Sequence, residues 1–134
     1  MAERPPRRCV LIVEDDDNIA TALEYVISRE GLDQDRVGNG ADAVRRIRDL
    51  RPDLVLLDVM LPEVSGYDIC RTVRQDKSLG NVKILMMTAR GSTSERRKGL
   101  ALGADGFIAK PFELTELRSE VRRLLAAGGQ PAGA

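Results

Sequence analysis

Leu54-Val55-Leu56-Leu57 runs without a polar interruption into Asp58. A short apolar run without alternation is the mark of a strand covered on both faces, as in a parallel sheet. Two other stretches repeat the pattern. Cys9-Val10-Leu11-Ile12-Val13 ends at Glu14-Asp15-Asp16-Asp17, and Val82 to Met87 ends at Thr88-Ala89. Weaker runs lie at Leu32 to Val37 and Gly106 to Ala109; the first is the more polar and is expected at a sheet edge.

The intervening segments carry helical periodicity. Ile19, Leu23, Val26 and Ile27 share one face between Asn18 and Glu30, with Asp16 or Asp17 placed as N-cap and Gly31 just past the end. Val44, Ile47 and Leu50 mark a second helix, stopped before Pro52, and Ile69, Cys70 and Val73 a third. A fourth is expected from Glu95 to Leu102. A fifth, from Glu113 to Ala126, carries Leu114, Leu117, Val121, Leu124 and Leu125 on one face. Strand then helix, five times over, predicts an α/β chain of (βα)5 type. Right-handed crossovers make it a doubly wound five-stranded parallel sheet with helices on both faces. Residues 1–7 are an N-terminal extension, 8–126 one domain, and 127–134 a Gly-rich flexible tail or the start of a linker.

Composition narrows the chemistry. The 134 residues carry 21 Lys and Arg against 21 Asp and Glu, and no histidine. A Ser-His-Asp triad, a histidine metal site and a phosphohistidine carrier are therefore excluded. The charge balance argues against direct nucleic-acid or membrane binding by this domain, since such proteins read phosphates with a net basic field. Cys9 and Cys70 form no C-x-x-C pair and are expected as small buried hydrophobes, which suits a reducing, cytoplasmic compartment. The apolar run after the N-terminal arginines is too short for a signal-peptide core or a membrane span.

In an open parallel sheet, ligands bind at the carboxyl ends of the strands, beside the point where strand order reverses. Those ends carry Glu14 to Asp17, Asp58, Thr88 with Ala89, and Lys110 with Pro111. Taken singly, each has a plain structural reading: a helix cap for Asp16 and Asp17, a turn residue for Asp58, a surface turn for Lys110-Pro111. Taken together, they gather carboxylates, a hydroxyl and an ammonium at one edge. Converging carboxylates must take up protons or hold a cation. Oxygen donors without histidine or thiol favour Mg²⁺, or Mn²⁺ in its place. A carboxylate held at a strand tip beside such a cation and a lysine can attack phosphorus and form an acyl phosphate.

With these residues in order, the sequence resembles the receiver domain of two-component response regulators, the CheY-like family with a flavodoxin-like fold. The resemblance rests on Val10 to Asp16, Pro52 to Gly66, Met87-Thr88-Ala89 and Gly103 to Phe112, and covers roughly residues 8 to 126. It implies Asp58 as phospho-acceptor and Asp15 and Asp58 as direct Mg²⁺ ligands. Glu14 would act through water and the Met60 carbonyl would complete the protein's share. It implies Thr88 and Ala89 as the loop that meets the phosphoryl group, Lys110 as its counter-ion, and a cis bond before Pro111. Phe107 stands where the family more often has tyrosine; it is expected either as an aromatic that turns inward on phosphorylation or as a plain core residue. Met60 and Arg90 flank the site where water attack is influenced.

The resemblance also implies partners. A sensor histidine kinase or histidine phosphotransfer protein would supply the phosphoryl group, and the fourth helix, fifth strand and fifth helix would form the output surface. The chain would then be a phospho-acceptor signalling module, either stand-alone or part of a longer chain, and not an enzyme turning over a separate substrate. A phosphorylation-dependent homodimer is a further expectation, because Arg96 with Glu116 and Asp105 with Arg123 match two crossing salt-bridge pairs. Gly106 and Glu120 break a third. Two alternatives stand beside this reading. An Asp-nucleophile phosphatase would want a second aspartate where Met60 stands, and a pseudo-receiver would lack part of the acidic set.

Overall fold

The computed structural model describes residues 8–89 and 93–129, with side chains as far as Ala126. Residues 1–7, 90–92 and 130–134, Arg90 among them, lie outside the described residues. Five strands, β1 (Cys9–Val13), β2 (Asp33–Val37), β3 (Leu54–Asp58), β4 (Lys83–Thr88) and β5 (Gly106–Ala109), form one parallel sheet in the order β2-β1-β3-β4-β5. Five helices alternate with them: α1 (Asp17–Arg29), α2 (Ala43–Leu50), α3 (Gly66–Gln75), α4 (Thr93–Ala101) and α5 (Leu114–Gly129). The architecture is the expected one, and the polar β2 does lie at an edge.

The apolar runs read as continuous because their alternate residues feed two cores. Val55, Leu57, Ile84, Met86 and Phe107 face α2, α3 and the chain around Leu102, while Leu54, Leu56, Leu85, Met87 and Ile108 face α1 and α5. Every residue of β3 is buried. At such a position a Leu→Ala change leaves a cavity worth about 2–5 kcal/mol. Strand order reverses between β1 and β3, so the carboxyl ends of those two strands open a crevice.

Local chemistry sets the element ends. Asp16 caps α1, its carboxylate accepting from the N–H groups of Asn18 and Ile19. Gly31 takes a positive φ of 75°, and Leu32 N–H returns to Ile27 O, closing the helix. Asp17 opens the helix instead of capping it. Three details depart from the sequence expectations. A short 3-10 turn, Lys77–Leu79, precedes β4 and is capped by Asp76, whose carboxylate accepts from Ser78 N–H. The fifth helix runs to Gly129, past Ala126 where its periodicity was expected to end, alanine being the strongest helix former. Cys9, the first residue of β1, is only half-buried, whereas Cys70 is buried as expected.

Candidate functional site

The crevice is built from the ends of β1, β3, β4 and β5. Glu14 follows β1 and is buried, Asp58 ends β3 and is buried, and Thr88 ends β4 and is buried. Asp15 is exposed at the mouth. One carboxylate oxygen from each of Glu14, Asp15 and Asp58 falls within 4.8 Å of the others. These are hard oxygen donors, and they lie together without histidine or thiol. The set fits Mg²⁺ or Mn²⁺, which keep several waters and need few protein oxygens.

Lys110 closes the opposite wall. Its Nζ lies 2.8 Å from Glu14 Oε1 and 3.4 Å from Asp58 Oδ1. The Lys110-Pro111 peptide is cis, as the resemblance implied, and Lys110 N–H donates to Thr88 O at 2.6 Å. Burial raises the Glu14 carboxyl above its ordinary value, only partly offset by the hydrogen bond from Lys110. Burial pulls the lysine the other way, but its bond to Glu14 and the charge of Asp58 more than offset this and leave its ammonium raised. The cation is thus held among the acids.

Asp58 itself is fixed by backbone. Met60 N–H donates to Asp58 Oδ1 at 3.1 Å, and Val59 N–H donates to Met87 O. The following loop is taut: Val64 N–H donates to Pro62 O at 2.7 Å across Glu63, whose φ is +72°. That is a γ-turn conformation costly for a residue with a Cβ. It turns the chain so that α3 begins directly behind the aspartate, with Gly66 N–H on Val59 O at 3.0 Å. Met60 is exposed over the site.

Thr88 is not waiting unengaged. Its hydroxyl donates to Glu95 Oε1 at 2.8 Å, from the first turn of α4. Glu95 was not anticipated as a site residue; a glutamate early in a polar helix gives no signal in sequence. Ala89, next in the loop, is exposed. Phe107 is already packed inward, buried in the core beside Met86 and under Gly99, where an added Cβ would come within 2.7 Å of its ring. The space it fills is made by the missing side chain of Gly99. Phe107 thus lines the core against α4, an arrangement that both expectations for it share.

Arg36 was also missed. From β2 its Nε and Nη2 donate to Glu14 O at 3.1 and 2.9 Å, and its Nη1 donates to Asp17 Oδ1 at 2.8 Å. Position in an edge strand disguised it as a solvated arginine.

Beside Lys110 an apolar groove of about 400 Å³ is lined by Ile19, Ala22, Pro111, Phe112 and Leu114. Farther away, just before β5, Asp105 is held by Arg74 at 2.7 Å and by Ile84 N–H, and on α5 Arg123 pairs with Glu120 at 2.7 Å. No described helix is long and apolar enough to cross a membrane.

The sequence profile described as response regulator receiver domain matches residues 10–122. The phosphate regulon transcriptional regulatory protein PhoB of Rhizobium meliloti is 41% identical over 87% of this chain and 51% of its own length. The DNA-binding response regulator MtrA of Mycolicibacterium paratuberculosis is 44% identical over 94% of this chain and 55% of its own. The chain thus spans about half the length of these curated relatives. Among solved structures, a putative response regulator from Chloroflexus aurantiacus superposes with a TM-score of 0.85 at 39% identity, covering 90% of this chain and 99% of that one. The BeF3-activated receiver domain of Klebsiella pneumoniae RstA gives 0.81 at 29% identity, covering 88% and 98%.

Proposed function

The chain belongs to the response regulator receiver domain family, and from that premise we propose that Asp58 accepts a phosphoryl group from a phosphohistidine of a partner protein. The observation that carries this reading is the cluster of Glu14, Asp15 and Asp58 with Lys110 3.4 Å from the Asp58 carboxylate. An Asp58 oxygen attacks phosphorus, the P–N bond to the partner imidazole breaks as the O–P bond forms, and the imidazole leaves. Asp15, Asp58 and the Met60 carbonyl would hold Mg²⁺ or Mn²⁺ directly, with Glu14 acting through water. When bound, that ion neutralises charge on the phosphoryl oxygens. Lys110 moves from its carboxylate partners to a phosphoryl oxygen, and Thr88 exchanges Glu95 for another. The exchange at Thr88 draws on α4, so the signal passes to the surface of α4, β5 and α5.

The partner is a sensor histidine kinase or a histidine phosphotransfer protein, docking on the apolar groove beside Lys110. The output is exerted through protein contact with the α4, β5 and α5 surface and not by DNA contact from residues 8–126. A second copy of the chain is one occupant that this surface suits. The domain modifies itself and turns over no separate substrate, because the position two residues after Asp58 holds Met60, not the general acid of an Asp-nucleophile phosphatase.

The test is incubation with acetyl phosphate and Mg²⁺, followed by intact-mass measurement. One phosphoryl group per chain is expected on the wild type and none on Asp58→Asn. Absence of label on the wild type defeats the reading in favour of a pseudo-receiver. Many phosphates released per chain would favour the phosphatase.

A further inference from the structure

We infer that Arg36 is a positioning residue for the cation site, acting through the backbone of the loop that carries Asp15. The inference rests on the metal-dependent reading above. No hydrogen bond or ion pair among the described residues engages the Asp15 carboxylate, so its place is set by its own backbone. That backbone is held on both sides. Glu14 N–H donates to Val37 O at 3.1 Å, continuing the ladder of β1 and β2. On the far side, the Glu14 carbonyl belongs to the peptide joining Glu14 to Asp15, and it accepts two N–H groups of Arg36. The third donor reaches Asp17 and ties the guanidinium to the start of α1. One planar group thus spans the loop from its strand end to its helix start, a fork that an ammonium cannot reproduce.

Arg36 has two opposed effects on a bound cation. Its positive charge repels the ion, and its fork orders the carboxylates that bind it. The two predict opposite signs on removal, which makes the assignment testable. Arg36 sits half-exposed near the surface, its side chain 26% accessible, so its replacement leaves the buried core intact.

The experiment is titration of the intact chain with Mn²⁺, followed by the electron paramagnetic resonance signal of the free ion, on the wild type, Arg36→Lys and Arg36→Ala. Urea midpoints confirm that each variant is folded. Positioning predicts a dissociation constant raised threefold or more in both variants, even though Arg36→Ala removes a positive charge. An unchanged constant in Arg36→Lys, or tighter binding in Arg36→Ala, overturns the inference. A wild type that binds no Mn²⁺ overturns the metal-dependent reading as well, so the two failures are distinct.

Discussion

Asp58 ends β3, and the residue packed directly behind it has no side chain. A Cβ built on Gly66 would lie 2.3 Å from the Asp58 carbonyl oxygen and 2.8 Å from Val59 Cα. Those are backbone atoms, which cannot swing aside as a flexible side chain would. Gly66→Ala must therefore move α3 or the end of β3. The expected cost is about 1–3 kcal/mol of stability, the usual range for overpacking, read from urea denaturation. Labelling by acetyl phosphate should also slow, because the displaced atoms include the carbonyl of Asp58, the proposed phospho-acceptor. Wild-type stability and wild-type labelling together would show that this close approach is not needed. At this scale the sequence was legible where chemistry leaves a residue type behind. Asp58, Glu14, Asp15, Thr88 and Lys110 announce themselves as polar groups at the ends of apolar runs. Arg36 and Glu95 do not, because a single arginine in an edge strand and a glutamate in a basic helix look like ordinary solvated residues. Their roles depend on which strands neighbour each other, which no local pattern reports.

Elements were legible to the extent that their apolar faces are periodic. Helix α5 is the clearest case: Leu117, Val121 and Leu124 bury one stripe. The α4 segment is the least, since only Gly99 of its residues is buried and its chain is otherwise polar or exposed. What joins α1 to α5 is partly ionic. Glu30, at the end of α1, accepts from Arg122 at 2.6 Å and lies 3.3 Å from Arg118. The Arg122 hydrogen bonds, acting against a burial penalty and helped by the charges of Arg122 and Arg118, lower the Glu30 carboxyl below its ordinary 4.5. A group depressed in the folded state contributes stability that is complete above its unfolded value and is lost as pH falls through the folded one. Stability in urea should therefore decline below about pH 4.5. Glu30→Gln should lower it at neutral pH and flatten that part of the acid limb. An acid limb identical in Glu30→Gln and the wild type would remove this strap from the account.

For the whole molecule, the question is how an event at Asp58 reaches another chain. Composition alone suggested an electrically neutral body, yet Glu14, Asp15 and Asp58 cluster in the crevice while α4 and α5 carry five arginines, Arg96, Arg97, Arg118, Arg122 and Arg123. The α4, β5 and α5 surface carries charges of both signs, as a symmetric contact between two copies requires, since each residue must meet its complement across the axis. Of the two pairs expected to cross, no hydrogen bond or ion pair among the described residues engages Arg96 or Glu116. The other pair is already occupied: Asp105 is bound to Arg74, and Arg123 to Glu120 at 2.7 Å. A dimer must exchange those bonds for new ones of similar strength, and exposed pairs are worth only about 0.2–1 kcal/mol each. Association by this face should therefore be weak. With beryllofluoride and Mg²⁺ as the phosphoryl mimic, sedimentation should give a mass that rises with concentration above that of the untreated chain. Glu120→Ala frees Arg123 from its local partner and should shift that rise to lower concentration. A monomer mass at every concentration, in both proteins and with the mimic bound, would leave the surface to a partner other than a second copy.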